Sequence, residues 1–169
     1  NNTITGHSVG VAVYNSHIVG YAEVKFNDIS GCGRGIYLGF DVSAWQVHNN
    51  SLEGNTNYGV QLDDASGCYI RNNTITDNGG YGVNAELWMM GSQNHIYHNV
   101  LAGNNPGGVQ AYDDYADNVW YSGSRGNFWT DYPTRYPDAT NDGTVWDTPY
   151  DLDGGAGVQD VYPLSNSTD

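Results

Sequence analysis

Apolar and polar positions along the chain recur about every two dozen residues. In five segments an Asn stands two residues before an aliphatic side chain, at intervals of 25, 23, 23 and 26 residues. The asparagines are Asn2, Asn27, Asn50, Asn73 and Asn99, and the aliphatic residues are Ile4, Ile29, Leu52, Ile75 and Leu101. Such a fixed order of polar and apolar positions indicates one structural unit repeated along the chain.

Two further columns run in step with the asparagines. The first is a Gly followed by an apolar residue, at Gly10-Val11, Gly35-Ile36, Gly59-Val60, Gly82-Val83 and Gly108-Val109. The second precedes the asparagines from the second copy onward and contains Val24, Val47, Ile70 and Ile96. Alternate residues are apolar around both columns, as expected for short strands. Each repeat therefore predicts about three strands and no helix.

A unit this thin encloses no core of its own and becomes stable only when the next unit stacks on it. The sequence therefore predicts an all-β fold, a parallel β-helix or solenoid of about five coils over residues 1–120. Equivalent residues of successive coils would lie about 4.8 Å apart. The aliphatic column becomes an inward stack, and the five asparagines become a ladder whose carboxamides are hydrogen-bonded along the helix axis.

The repeat register ends near residue 121, and residues 121–169 are rich in Pro, Asp and aromatic residues. A solenoid exposes the core and the strand edges of its last coil unless another segment covers them. We therefore expect an irregular, aromatic-rich C-terminal cap. The expected covering side chains are Phe128, Trp129, Tyr132, Tyr136, Trp146, Tyr150, Tyr162 and Leu164.

The charge of the chain restricts its partners. Acidic residues outnumber basic ones 19 to 5 in the 169 residues, which gives a formal net charge of −14. Nucleic acid is disfavoured because its binding requires Lys and Arg against phosphates, whereas calcium and neutral glycans are compatible.

No apolar run reaches the ~20 residues of a membrane span. Because the chain opens inside a repeat, we expect a mature or excised piece of a longer precursor. Cys32 and Cys68 fall on different faces and are predicted to be unpaired thiols.

Acidic residues follow the Gly column and are predicted to lie along one edge of the stack. They are Asp41, Asp63, Asp64, Glu86, Asp113 and Asp114. Paired carboxylates are the acid and the base or nucleophile of polysaccharide hydrolases, so an enzyme would use Asp63, Asp64, Asp113 or Asp114. The same pattern arises where Asp simply ends strands at bends. None of the five Lys and Arg residues stands in this part of the repeat, which favours a non-enzymatic role and leaves catalysis as an alternative.

The terminal segment contains a candidate metal site. Asp138, Asn141, Asp142 and Asp147 group oxygen ligands around Gly143, as calcium loops do. The segment lacks the alternation and the closing Glu of an EF-hand loop, and an ordinary turn rich in Asp, Asn and Gly is the alternative. Calcium is the only cofactor that the sequence suggests.

Two surface features remain. Asn1, Asn49, Asn72 and Asn166 each begin an Asn-x-Ser/Thr sequon, and the first three precede a ladder Asn, where strand alternation should point the side chain outward. They are the candidate glycosylation sites. Leu87, Trp88, Met89 and Met90 form an apolar cluster where neighbouring coils carry Asp, and this cluster is predicted to be either core or an exposed contact patch.

Repeats of the form Asn72-Asn73-Thr74-Ile75, about 23 residues apart, resemble the NosD-like class of carbohydrate-binding and sugar-hydrolase (CASH) right-handed parallel β-helices. The segments Gly126-Asn127-Phe128-Trp129, Asp147-Thr148-Pro149-Tyr150 and Tyr162-Pro163-Leu164 resemble the ending of archaeal, especially methanogen, surface proteins of this class. The resemblance implies a right-handed helix and an extracellular or cell-envelope location. It also implies a scaffold or glycan-contacting role, with polysaccharide cleavage in some relatives. Thr144-Val145-Trp146 departs from the denser Asp-Gly run of the family.

These observations support three functional hypotheses. The first is a structural or adhesive protein of a cell envelope, S-layer or sheath, which associates with itself or with neighbouring envelope proteins. The second is a polysaccharide hydrolase or lyase. The third is a non-catalytic glycan-binding module that uses exposed Tyr and Trp side chains.

Overall fold

A computed structural model describes residues 1–86, 93–155 and 157–168, without the side chains of residues 17–21. The strands of the coils are β1 (Thr3–Thr5), β2 (Val9–Val13), β3 (His17–Lys25), β4 (Asp28–Ser30), β5 (Arg34–Leu38), β6 (Ser43–His48), β7 (Ser51–Glu53), β8 (Tyr58–Asp63), β9 (Tyr69–Arg71), β10 (Thr74–Thr76), β11 (Val83–Glu86), β12 (His95–Tyr97), β13 (Val100–Ala102) and β14 (Ala111–Asp113). The remaining elements are β15 (Phe128–Trp129), the one-turn helix α1 (Tyr132–Arg135), β16 (Tyr150–Asp151) and β17 (Gln159–Asp160). The predicted all-β fold is confirmed.

The strands of the coils form three parallel sheets. The first sheet contains β1, β4, β7, β10, β13 and β15, the second contains β2, β5, β8, β11 and β14, and the third contains β3, β6, β9 and β12. Neighbours within each sheet come from successive coils and pair in parallel. This is the stacked parallel β-helix that the repeat predicts. Within the described ranges no helix has the length and apolarity needed to cross a membrane.

The core follows from the aliphatic column of the first sheet. Ile4 pairs with Ile29, Ile29 with Leu52, Leu52 with Ile75 and Ile75 with Leu101. All but the first of these side chains are buried, and full burial of such a side chain stabilises the fold by roughly 1.5–3 kcal/mol.

The predicted asparagine ladder is confirmed. Asn2, Asn27, Asn50 and Asn73 each donate from Nδ2 to Oδ1 of the ladder residue in the next coil, over 2.9–3.0 Å. Each accepting Oδ1 from Asn50 onward also receives the backbone amide of the preceding rung. The carboxamides therefore satisfy backbone donors at the bend as well as each other. The ladder continues beyond the predicted residues, because Asn99 donates to Asn127 over 3.0 Å.

Two further ladders were not foreseen. In the second, Asn55 donates to Asn78 over 2.9 Å, Asn78 donates to Asn104 over 2.8 Å, and Asn104 donates to Gln110 over 3.3 Å. In the third, Asn94 donates to Asn118 over 3.1 Å. The second ladder had a signal in the sequence, because an Asn follows the first-ladder residue by five positions in three coils, at Asn55, Asn78 and Asn104.

The fifth coil departs from the predicted register. Val83 pairs with Ala111, whereas the Gly column had aligned it with Val109. The turn between Asn104 and β14 is two residues longer than its counterpart after Asn78, and it is built around Asn105 (φ 47°) and Gly107 (φ 84°). The coil array also extends past residue 120, since β15 pairs with β13 and adds a sixth strand to the first sheet.

An aromatic cluster covers the last coil, as predicted. Trp129 stacks on Tyr150 with ring centroids 4.0 Å apart, and Tyr132 stacks on Trp146 at 4.8 Å. Trp120, which the sequence analysis had left among the coils, packs on Trp129 at 6.0 Å. Of the expected covering groups, Trp129, Tyr132, Tyr150 and Leu164 are buried, Phe128, Tyr136 and Trp146 are half-buried, and Tyr162 is exposed.

Cys32 and Cys68 are buried as separate free thiols, as predicted. The apolar cluster of residues 87–90 lies outside the described residues.

Candidate functional site

Strand alternation gives the second sheet an outer face that is unusually polar and aromatic. In β8, Val60 and Leu62 point into the core, so that Gln61 and Asp63 point outward. The outer row at the Gln61 position contains Tyr37, Gln61, Asn84 and Tyr112, which pair in register from coil to coil. The next row contains acidic residues. We call these two rows, with the tyrosines that pack on them, the polar face.

The acidic row of the polar face contains Asp63, Glu86 and Asp114. Asp63 pairs with Glu86 in register, and the backbone amide of Asp114 donates to the carbonyl of Ala85 over 3.1 Å, which places Asp114 at the end of β11. We call these three residues the carboxylate file. Successive members belong to successive coils, which are spaced by about 4.8 Å in a parallel sheet. The structure thus brings together two of the candidate catalytic residues, Asp63 and Asp114, with Glu86 of the same predicted acidic column.

Neighbouring side chains hydrogen-bond each carboxylate of the file. Tyr37 donates to Oδ2 of Asp63 over 2.7 Å, and Gln61 donates from Nε2 to Oε2 of Glu86 over 3.0 Å. Asp114 accepts from the Tyr112 hydroxyl over 2.7 Å and from the backbone amide of Gly155 over 2.9 Å. In all of these contacts a carboxylate oxygen is the acceptor.

Tyrosine rings of successive coils follow one another along the polar face, in the direction of the helix axis. Tyr58 stacks on Tyr81, with centroids 6.4 Å apart and planes 14° from parallel, and Tyr81 contacts Tyr112 at 5.3 Å. Tyr14 contacts Tyr37 at 5.1 Å in the earlier coils. The rings therefore form one group in the first two coils and another in the next three, and Tyr14, Tyr58, Tyr81 and Tyr112 retain exposed surface.

The phenols of this face are held in their protonated form. The hydrogen bond from Tyr112 to Asp114 and partial burial raise the pKa of Tyr112 to about 12. Burial and the hydrogen bond to Asp153 raise the pKa of Tyr81 to about 12. Burial is also the first cause that raises the pKa of Tyr37, followed by its contact with Asp63. The tyrosines therefore act as hydrogen-bond donors near neutral pH.

One basic residue lies on this face, contrary to the expectation from the repeat. Arg34 pairs with Tyr58 at the start of β5 and β8, and its guanidinium lies 5.0 Å from the centroid of the Tyr37 ring. Arg34 precedes the Gly column, but its long side chain reaches back over the sheet. The position in the repeat alone did not reveal this contact.

Two buried amide atoms of the polar face lack a hydrogen-bond partner among the described residues. They are Oε1 of Gln61 and Nδ2 of Asn84, on side chains that pair in register. Gln61 is 3% exposed and Asn84 is 1% exposed. Buried polar atoms in folded proteins are usually hydrogen-bonded, so each such atom requires an explanation.

The other two predicted catalytic residues have different surroundings. Asp113 occupies the inward position of Ala85 in the preceding coil and is fully buried. It accepts from the Trp120 indole over 2.6 Å and from Asn118 over 2.9 Å, and so ends the third ladder. Burial raises the pKa of Asp113 to about 6 against the effect of these donors. Asp113 therefore does not lie on the outer edge with Asp63 and Asp114, because it faces the core opposite Ala85.

Asp41 and Asp64 lie at the bends that follow β5 and β8. Both adopt the left-handed backbone conformation, with φ of 62° and 56°, which Asp tolerates better than most residues. Asp64 is buried and lies 3.5 Å from the hydroxyl of Tyr115. These two residues fit the alternative in which Asp ends a strand at a bend.

Three of the predicted calcium ligands, Asn141, Asp142 and Asp147, line one pocket and hydrogen-bond within their own loop. Oδ1 of Asp142 accepts the backbone amides of Thr144 and Val145, both over 2.8 Å, and Asp147 accepts from the amide and hydroxyl of Thr140. These contacts hold the pKa of Asp142 and of Asp147 below the usual range. Across the described part of the chain no three His, Cys, Asp or Glu side chains group closely enough to hold a metal ion. Calcium binding by Asp138, Asn141, Asp142 and Asp147 stays a prediction.

Three of the four sequons lie on the surface. Asn1, Asn49 and Asn72 are exposed, and Asn49 and Asn72 adopt φ of 54° and 53° at the bend before the ladder. Asn166 is half-buried, and its Oδ1 accepts from the backbone and the hydroxyl of Thr168. Glycosylation at these sites stays a prediction.

Comparison with known proteins agrees with this architecture. A family model described as a right-handed β-helix region matches residues 1–125. The chain therefore belongs to the right-handed β-helix family, and the predicted fold class is confirmed. Comparisons with curated proteins and with solved structures gave no match.

Proposed function

We propose that the protein is an extracellular structural and adhesive element of a cell envelope, and that its polar face holds a polysaccharide without cleaving it. The tyrosine rings of this face, which contact one another within the first two coils and within the next three, carry the proposal. Membership of the right-handed β-helix family is consistent with surface and glycan-related roles. The finer assignment to NosD-like, CASH-type archaeal surface proteins rests on the sequence resemblance and belongs to this proposal.

The chemistry of the polar face suits a linear sugar polymer. Aromatic rings bury the apolar C–H faces of sugar rings, while phenols, amides and carboxylates hydrogen-bond to the hydroxyl groups. Tyr58, Tyr81 and Tyr112 follow one another along the helix axis, so that an extended chain laid along the axis would contact several rings together. Because the sheet is rigid, little conformational entropy would be lost from the protein on binding.

The carboxylates favour binding over cleavage. Hydrolysis requires one carboxyl group that donates a proton and a second that acts as base or nucleophile. The members of the carboxylate file accept hydrogen bonds from Tyr37, Gln61 and Tyr112. Burial raises the pKa of Asp113, but this residue is enclosed in the core. The hydrolase or lyase hypothesis remains as an outcome of the test below.

Retention on insoluble polysaccharides tests the proposal. We expect the wild-type protein to cosediment with at least one envelope or plant polysaccharide, and Tyr58→Ala to weaken retention about tenfold through loss of a stacking ring. Tyr58→Trp should retain binding. The matched control is Tyr69→Ala, which removes a half-buried ring that stacks on His95 on the outer face of the third sheet.

Three results would change the conclusion. An equal loss of retention in Tyr58→Ala and Tyr69→Ala would overturn the proposed function. The absence of retention of the wild-type protein on any polysaccharide would overturn it as well. New reducing ends or unsaturated sugars in the supernatant would replace binding by cleavage.

A further inference from the structure

The polar face is acidic, and its charge specifies the kind of polysaccharide that it can hold. The carboxylate file contributes Asp63, Glu86 and Asp114, and Asp153 joins it through a 3.1 Å hydrogen bond from Tyr81. Arg34 brings one positive charge, which lies over the ring of Tyr37. A polymer of uronic acids would place its carboxylates beside those of the protein, and like charges at such distances repel.

The two unpartnered amide atoms point independently to a ligand. Nε2 of Gln61 donates to Glu86 over 3.0 Å, so the Gln61 carboxamide is directed at the carboxylate file. Its Oε1 lacks a donor, and Nδ2 of Asn84 in the next coil lacks an acceptor, among the residues that the structure describes. Oε1 of Gln61 can therefore accept one hydrogen bond from a bound molecule or a water, and Nδ2 of Asn84 can donate one to such a partner. Amine and hydroxyl groups on one sugar can supply both partners.

We propose that the ligand of the polar face is a polymer of amino sugars with free, protonated amines. This inference rests on the proposed function and narrows it. Ammonium groups that recur along the polymer meet carboxylates that recur once per coil, and the sugar rings pack on the tyrosines. Charge-assisted hydrogen bonds between ammonium and carboxylate groups are stronger than neutral ones. They provide specificity that aromatic stacking alone lacks.

Binding of three short oligomers by calorimetry tests the inference. The oligomers contain glucosamine, N-acetylglucosamine or galacturonic acid, and they are measured slightly below neutral pH. We expect the glucosamine oligomer to bind at least about tenfold more tightly than its acetylated counterpart, and this advantage to shrink as salt is raised to about 0.5 M. The galacturonic acid oligomer should show no measurable binding.

Isosteric variants test whether the charges of Asp63 and Glu86 cause the preference for the glucosamine oligomer. The double variant Asp63→Asn/Glu86→Gln keeps the shapes of both side chains and should reduce the advantage of glucosamine to within about threefold, while the acetylated oligomer binds as before. Asp28→Asn is the matched control, because Asp28 is an exposed acid on the first sheet. Melting temperatures of all variants establish that the fold is intact.

The outcomes separate this inference from the function on which it rests. Equal binding of the glucosamine and N-acetylglucosamine oligomers would overturn the inference and leave the proposed function standing, as would tighter binding of the galacturonic acid oligomer. Failure of every oligomer and of every insoluble polysaccharide to bind would overturn both.

Discussion

The side-chain amide of Asn127 donates to the buried carboxylate of Asp160 over 3.2 Å, and this contact ends the first asparagine ladder. The same Oδ2 atom accepts the backbone amide of Asn127 over 2.7 Å and the Trp129 indole over 2.9 Å. Each rung donates toward the C-terminus, so the last rung requires a group that only accepts. The other two ladders also end on carboxylates, at Asp131 through Gln110 and at Asp113 through Asn118.

Two of these carboxylates make the stability of the fold depend on pH. Burial raises the pKa of Asp160 and of Asp113 to about 6, from 3.8 in the reference state. The folded state therefore binds these protons more tightly than the unfolded chain. The stabilisation that this tighter proton binding provides is complete below about pH 4, and it is lost as the pH rises through 6. We expect urea denaturation to show a slope of up to about −1.4 kcal/mol per pH unit for each group in this window.

The variant Asp160→Asn isolates one of the two groups. It keeps an oxygen acceptor for Asn127 and removes the titration, so its pH slope should be shallower than that of the wild type by the contribution of Asp160. Identical slopes for the two proteins would show that Asp160 does not titrate in this range.

Substitution within the ladder should be costly. Asn73 donates to the carbonyls of Val47 and Arg71 and to Oδ1 of Asn99, and it accepts from Asn50. We expect Asn73→Ala to lower the free energy of unfolding by about 3 kcal/mol, because several buried groups lose their partners. The control is Thr74→Ala on the exposed side of β10. A loss in Asn73→Ala no larger than that of the control would refute the structural role of the ladder.

Phe26 is strained at a bend that suits Asn. Its φ is 56°, close to those of Asn49, Asn72 and His98 at the same place in later coils. Residues with a Cβ pay about 1–2 kcal/mol in this conformation, and Asn is among the exceptions. Phe26→Asn should therefore raise the free energy of unfolding by about 1 kcal/mol relative to Phe26→Ala, as measured by chemical denaturation. Equal stability of the two variants would contradict this account.

Calcium binding by the terminal loop is a separate prediction. Asp142 and Asp147 are ionised but hydrogen-bonded to their own loop, so a calcium ion would have to replace contacts with the amides of Thr144 and Val145 and with Thr140. If the loop binds calcium, the melting temperature should rise on addition of calcium, and Asp147→Asn should abolish the rise. A melting temperature that is equal in calcium and in chelator would remove calcium from the account.

The repeat was sufficient to predict the coils and the first ladder, because the same spacing appears in three columns at once. It failed at the fifth coil. Aligning Gly108 with Gly82 placed Gln110 beside Asn84, whereas the longer turn places Tyr112 there. The extra length of the turn could not be seen in the sequence, because Val109 after Gly108 fits the apolar column as well as Ala111 does.

The candidate site was only partly foreseen. Asp63 lies on the outer face beside Glu86, but Asp113 faces the core, and the longer turn of the fifth coil sets Tyr112 opposite Asn84, where its ring contacts Tyr81. The second ladder was visible as an Asn five residues after the first-ladder Asn in three coils. The ends of the ladders were not visible, because Asp160 lies 33 residues beyond Asn127 in the irregular cap.

The position at which a glycan contacts the protein tests the central claim most directly. Side-chain amide resonances can be followed by NMR during titration with the glucosamine oligomer. We predict that the amide signals of Gln61 and Asn84 shift to saturation, whereas those of Gln46 on the outer face of the third sheet and Asn73 in the ladder stay unchanged. Shifts centred on Gln46, or no shift at Gln61 and Asn84 when the oligomer is bound, would contradict the account.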